Sequence, residues 1–124
     1  MKTAAELVAE AKAAVTNLTP SAVAAEIEGG DAVLVDLRES EETAALRIPG
    51  AVHVPRGMLE FRADPSSPYH DERLDPSKRV ILHCAGGGHS ALAARALTEM
   101  GYENVAHLDG GIAKWREAGL PTES

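Results

Sequence analysis

Two kinds of hydrophobic pattern alternate along the chain. Ala32-Val33-Leu34-Val35 and Val80-Ile81-Leu82 are apolar runs without polar alternation, as expected for strands covered on both faces. Thr16 to Leu18, Ala51 to Val54 and Asn104 to Leu108 supply shorter strand segments. Between them the spacing changes to that of helices. Leu7, Val8, Ala11 and Val15 share one face of a helix over residues 3 to 15, with Glu6, Glu10 and Lys12 off it. Thr19 and Pro20 offer an N-cap and first-turn proline for a helix that stops at Gly29-Gly30. Ser40 to Leu46 and Gly57 to Arg62 read as short helices. Leu92, Ala96, Leu97 and Met100 mark an amphipathic helix ending at Gly101, and Ile112 to Ala118 a last one closed by Gly119 and Pro121. Ala63 to Lys78, with three prolines after Asp64, reads as a long surface connection of the kind that often borders a site.

Strands alternating with helices over the whole length predict a three-layer α/β fold, its mainly parallel central sheet of four to five strands flanked by helices. Residues 1–15 are expected to form a helical extension packed on the domain rather than on a second copy, 16–121 the domain itself, and 122–124 a short tail. In such sheets ligands bind beyond the C-terminal ends of the strands. Asp36 and Cys84 both fall at strand ends, which predicts that they share one rim.

Composition narrows the function. The chain has 124 residues, 44% apolar and 25% charged, so it can bury a single core. A net charge of −7 opposes nonspecific binding to nucleic acid or to an anionic membrane, and neither is expected as a partner. Cys84 is the only cysteine, which excludes an internal disulfide and suits a reducing compartment, the cytoplasm. Met1 to Val15 lacks the apolar run of a secretory signal or a membrane span. Histidines at positions 53, 70, 83, 89 and 107 lack the paired spacing of zinc ligands, so no metal is expected.

The candidate chemistry lies where the Val80-Ile81-Leu82 strand ends: Cys84, Ala85, Gly86, Gly87, Gly88, His89 and Ser90 run from a strand into a helix. Three glycines allow backbone angles that turn several N–H groups inward, and the helix N-terminus adds partial positive charge. The group favoured at the centre is an anion, either a thiolate or a bound oxyanion. Ser90 either orients the cysteine sulfur or caps the helix. Asp36 and Arg38 are read as an ion pair that supports the rim rather than as acid and base. His83 should face away from Cys84, because side chains alternate along a strand. Arg56 and Arg62 stay unassigned, Gly110-Gly111 reads as a tight turn, Trp115 as packing, and Glu39, Glu41 and Glu42 as a solvated helix start.

LVDLRE at 34–39, IPGAVHVPRG at 48–57, CAGGGHS at 84–90 and GGIAKWREAGLP at 110–121 together resemble the single-domain rhodanese family, over Thr19 to Pro121. The resemblance implies the rhodanese-like fold and a sulfurtransferase. Its Cys84 becomes a persulfide, held by the amides of Ala85 to His89, and no organic cofactor is required. The implied partners are a small-molecule sulfur donor such as thiosulfate and a cyanide or thiol acceptor, or a protein acceptor, with the chain a monomer or homodimer. Two departures stand out. His89 occupies the place of the family's usual arginine, and Leu46-Arg47 that of a usual glycine-histidine. A histidine carries positive charge only when protonated, which ties donor binding to mildly acidic pH. The alternatives are a non-turnover sulfur-carrier or persulfide-sensing module and a Cys-loop phosphatase or arsenate reductase. The last needs an arginine after five residues, where Ser90 stands.

Overall fold

The computed structural model describes all of residues 1–124. Five strands, β1 (Thr16–Leu18), β2 (Ala32–Asp36), β3 (Val52–His53), β4 (Arg79–His83) and β5 (Asn104–Leu108), form one sheet of order β1-β5-β4-β2-β3. Every pairing is parallel. Parallel neighbours need crossovers, and the helices provide them: α1 (Ala4–Ala14), α2 (Pro20–Gly29), α3 (Ser40–Ala45), α4 (Leu59–Ala63), α5 (Gly88–Glu99) and α6 (Gly111–Glu117), with a 3-10 turn at Arg56–Met58. Local chemistry sets the helix ends. Thr19 Oγ1 accepts the N–H of Ala22 at the start of α2, and Gly30 closes that helix at φ 80°, an angle glycine adopts without a β-carbon penalty.

The sheet divides the core in two. Val35, Val80, Leu82 and Cys84 pack with α4 and α5 on one face. Leu34, Ile81 and Leu108 pack with Val23 of α2 and Ile112 and Trp115 of α6 on the other. This alternation puts His83 and Cys84 on opposite faces, as expected from strand periodicity. Trp115 is buried, and its indole N–H donates to the Pro121 carbonyl.

α5 differs from its expected stripe. Its buried positions are Ser90, Ala91, Ala93, Ala94 and Leu97, while Met100 is exposed at the C-terminal end and Leu92 and Ala96 are only partly buried. The reason is α1, which packs against α5 as the sheet does. A β-carbon built on Gly88 would stand 3.7 Å from Val8 Cγ2. A helix covered on two sides favours small residues over a single wide apolar face. Residues 63–78 form the surface connection. Its Leu74 is buried, and the Tyr102 hydroxyl donates to the Ala63 carbonyl, while burial pushes the Tyr102 pKa up to about 12. No helix is long and apolar enough to cross a membrane.

Candidate active site

β4 ends at His83, so Cys84 is the first residue past the strand and its side chain turns toward α5. The residue is 3% exposed. Its Sγ accepts the N–H of Gly87 at 3.1 Å and of Ser90 at 3.4 Å, and lies 3.5 Å from Ser90 Oγ. The sulfur therefore sits inside the first turn of α5 among oriented donors, the setting that favours negative charge.

The glycines divide the work unequally. Gly87 alone of the three has positive φ, 100°, and a β-carbon there would come within 3.0 Å of the Gly110 nitrogen. Gly86 faces open space, and Gly88 is the first residue of α5. Two backbone N–H groups, from Gly87 and Ser90, reach the Cys84 sulfur. The N–H groups of Ala85, Gly86, Gly88 and His89 have no acceptor in the protein. Ser90 is also no cap, because it is the third residue of the helix behind an N-cap at Gly87.

A second turn braces this loop from below. Asp109-Gly110 leads from β5 into α6, and the N–H groups of Ile112 and Ala113 donate to the carbonyls of Cys84 and Ala85 at 2.9 and 3.2 Å. Gly111, at φ 62°, lies so close that a β-carbon would meet Ala85 O at 2.5 Å and Cys84 O at 2.6 Å. This glycine is more than a turn former: it lets the two loops touch.

Cys84 lines a cavity of about 230 Å³ together with Leu37, Arg38, Glu39, Glu42, Arg56, Ala85 and His89. Arg38 Nε and Nη2 form a two-pronged pair with Asp36 Oδ1 and Oδ2 at 3.1 and 3.0 Å, and Arg38 also donates to the Leu46 carbonyl. Thr43 adds a further bond to Asp36. Burial opposes the charge of Asp36, but the Arg38 hydrogen bonds hold its carboxyl below the usual carboxylate range. Asp36 does not itself line the cavity; it is buried behind Arg38, which does. Arg56 also lines the cavity, paired with Glu60 at 2.8 Å, while Arg62 does not. Nor does any residue of the 63–78 connection. Glu39 and Glu42 form a capping box at the start of α3.

Sequence reasoning passed over two residues behind the sulfur. His107 Nδ1 lies 2.9 Å from Ser90 Oγ, and its Nε2 lies 2.6 Å from Asn17 Oδ1. Asn17 Nδ2 in turn donates to the carbonyls of Lys12 and Val15. A histidine inside the apolar strand β5 is the signal that marks His107, since buried polar groups need partners, whereas Asn17 is exposed on β1 and gives no such signal.

The family model of the rhodanese-like domain matches residues 19–118. With the five-stranded parallel sheet and a cysteine at the head of α5, this defines the class: the chain belongs to the rhodanese-like family. Among whole proteins, it is 34% identical to the thiosulfate sulfurtransferase GlpE of Actinobacillus succinogenes over 112 residues, 90% of this chain and 93% of the relative. Among solved structures, RPA3614 of Rhodopseudomonas palustris, a protein of unknown function described as a possible tyrosine phosphatase, superposes with a TM-score of 0.93 at 39% identity, covering 99% of this chain and 96% of that one. A thiosulfate sulfurtransferase of Pseudomonas aeruginosa superposes at 0.79 with 31% identity, over 97% of this chain and 22% of that one. The chain spans less than half the length of many other curated relatives it matches.

Proposed function

We propose that the chain is a sulfurtransferase that carries sulfane sulfur on Cys84. The observation that carries this reading is the Cys84 Sγ held by the Gly87 and Ser90 N–H groups in a residue that lines a cavity of about 230 Å³. The Cys84 thiolate attacks the outer sulfur of thiosulfate or of a persulfide donor. The sulfur–sulfur bond of the donor breaks, its electron pair leaves on sulfite or on the donor thiolate, and Cys84 becomes a persulfide anion. A cyanide or thiol acceptor then attacks the terminal sulfur and returns the Cys84 thiolate. The unengaged N–H groups of Ala85, Gly86, Gly88 and His89 are the donors available to that terminal sulfur.

The charge of the mouth bears on the donor. Arg38 is committed to Asp36 and Leu46, and Arg56 to Glu60. His89 stands where the resemblance leads one to expect a permanently charged arginine. Thiosulfate affinity should therefore rise when His89 is replaced by arginine, most at the alkaline end of pH 6 to 8. A difference in KM that does not vary with pH removes histidine protonation from the account.

The deciding experiment is intact-mass spectrometry after thiosulfate or persulfide exposure, with Cys84→Ser as control. One added sulfur atom on the wild type alone is expected, and a wild type unmodified by either donor would sink the reading. A protein acceptor, as for a sulfur carrier, would leave the persulfide stable to cyanide and to small thiols. The phosphatase reading lacks its oxyanion-binding arginine, because Ser90 fills the sixth place after Cys84. Cytoplasmic residence suits a thiol that must stay reduced.

A further inference from the structure

Behind Cys84 runs a hydrogen-bonded chain of four side chains from three strands or their ends and one helix: Cys84, Ser90, His107 and Asn17. Its far end fixes the direction of every proton in it. Asn17 Nδ2 faces two carbonyls, those of Lys12 and Val15 at 2.8 and 3.1 Å, so its Oδ1 must face His107 as an acceptor. His107 Nε2 therefore carries a proton, which leaves Nδ1 of the neutral ring as an acceptor. The Ser90 hydroxyl donates to that Nδ1 at 2.9 Å, its other acceptor, the Gly87 carbonyl, being farther at 3.3 Å. With its one proton so used, Ser90 Oγ offers a lone pair to Cys84 at 3.5 Å and can take only the thiol's S–H.

We propose that His107 accepts the Cys84 proton through Ser90, reversing the chain and leaving a thiolate. The proposal rests on the reading of Cys84 as the nucleophile. The balance is simple. Ser90 Oγ takes the thiol proton and passes its own to His107 Nδ1, giving a thiolate and an imidazolium with no change in net charge. The Cys84–Ser90 and Ser90–His107 bonds survive with their directions reversed, because Nδ1–H then donates to Ser90 Oγ and the Ser90 hydroxyl donates to Sγ, while Nε2–H still donates to Asn17 Oδ1. The thiolate gains a third donor beside the Gly87 and Ser90 N–H groups. Ser90 is in contact with the reacting sulfur, whereas His107 and Asn17 act through it as positioning residues.

The groups facing His107 suit this exchange. Lys12 of α1 and Asp109 at the end of β5 pair with each other at 2.7 Å and nearly cancel. Burial lowers the His107 pKa from its ordinary value, with Asp109 opposing and Lys12 adding to the shift. A lone imidazolium is thus disfavoured there, and a charge-neutral pair with the adjacent thiolate relieves that penalty. His83 plays no part, since it points to the opposite face of the sheet.

The test uses the whole chain and needs no sulfur transfer, so its failure is distinct from failure of the sulfurtransferase reading. Alkylation of Cys84 by iodoacetamide is followed from pH 5 to 9 in the wild type and in His107→Asn, whose amide oxygen can still accept from Ser90 but cannot hold a proton. The wild type should react about tenfold faster than His107→Asn at pH 6, and the two should converge at alkaline pH. Superimposed profiles would mean that His107 takes no proton from Cys84 and would overturn the proposal. Imidazole ¹⁵N chemical shifts provide a second arm that needs no variant of His107. Nδ1 should be protonated at pH 7 in the wild type and a bare acceptor in Cys84→Ser. An acceptor shift in both proteins would equally overturn it.

Discussion

The turn after β4 and the turn after β5 are neighbours with similar sequences, CAGGG and DGG, each delivering a glycine with positive φ into a helix. Their amides meet opposite fates. At the head of α6 the N–H groups of Ile112 and Ala113 are consumed by the carbonyls of Cys84 and Ala85. At the head of α5 two N–H groups hold a sulfur and others have no protein acceptor. A glycine-rich strand-to-helix turn is therefore not a site by virtue of its glycines. What makes one is the absence of a competing acceptor, and here the second turn uses up its own donors to stiffen the first.

Substitutions at the glycines break this comparison in graded fashion, read by urea unfolding followed through the single tryptophan, Trp115, which is buried. Gly111→Ala forces a β-carbon to within 2.6 Å of two backbone carbonyl groups, and should cost about 3 kcal/mol or more while abolishing Cys84 alkylation at neutral pH. A variant of wild-type stability would mean that the two turns are not braced against each other.

Gly87→Ala strains a φ of 100° and presses the Gly110 nitrogen at 3.0 Å, which should cost about 1 to 3 kcal/mol. It should also slow persulfide formation, because the Gly87 N–H is the shorter of the two backbone bonds to the sulfur. Full stability with full activity would deny the conformational role given to this glycine.

The strand feeding the first turn carries a pH signature. His83 is fully buried, and burial pushes its pKa below the ordinary histidine value, against the attraction of Asp36. Below about pH 6.5 the unfolded chain binds a proton that the folded one refuses, so stability falls as pH drops, by at most about 1.4 kcal/mol per pH unit for this one group. His83→Gln should flatten that slope between pH 6.5 and 5. An unchanged slope would move the acid sensitivity elsewhere. The smallest effect belongs to Gly86→Ala, where a β-carbon meets nothing within 4 Å and φ is not positive. It should change stability by less than about 0.5 kcal/mol.

Much of this arrangement was readable from residue order. Thr19-Pro20 and Gly30 bounded α2, the unbroken apolar runs marked β2 and β4, and the run from Val80 to Ser90 predicted a strand, a loop and a helix in sequence. What stayed hidden depends on which elements become neighbours. Asn17 and His107 are 90 residues apart and meet because β1 pairs with β5 in a register that sets them side by side. No local pattern specifies that register. Gly111 looked like an ordinary turn residue because the carbonyls it approaches belong to another loop. The misplaced stripe on α5 has the same origin: spacing reveals one apolar face, and the second covering layer, α1, becomes evident only when the helices are packed.

The margins of the sheet have a practical consequence. Its outermost strands, β1 and β3, are three and two residues long. A stray chain adding itself to either border would find few unpaired peptide groups to grip, so the longer apolar strands in the middle stay out of reach of fibril-like growth even in crowded solution.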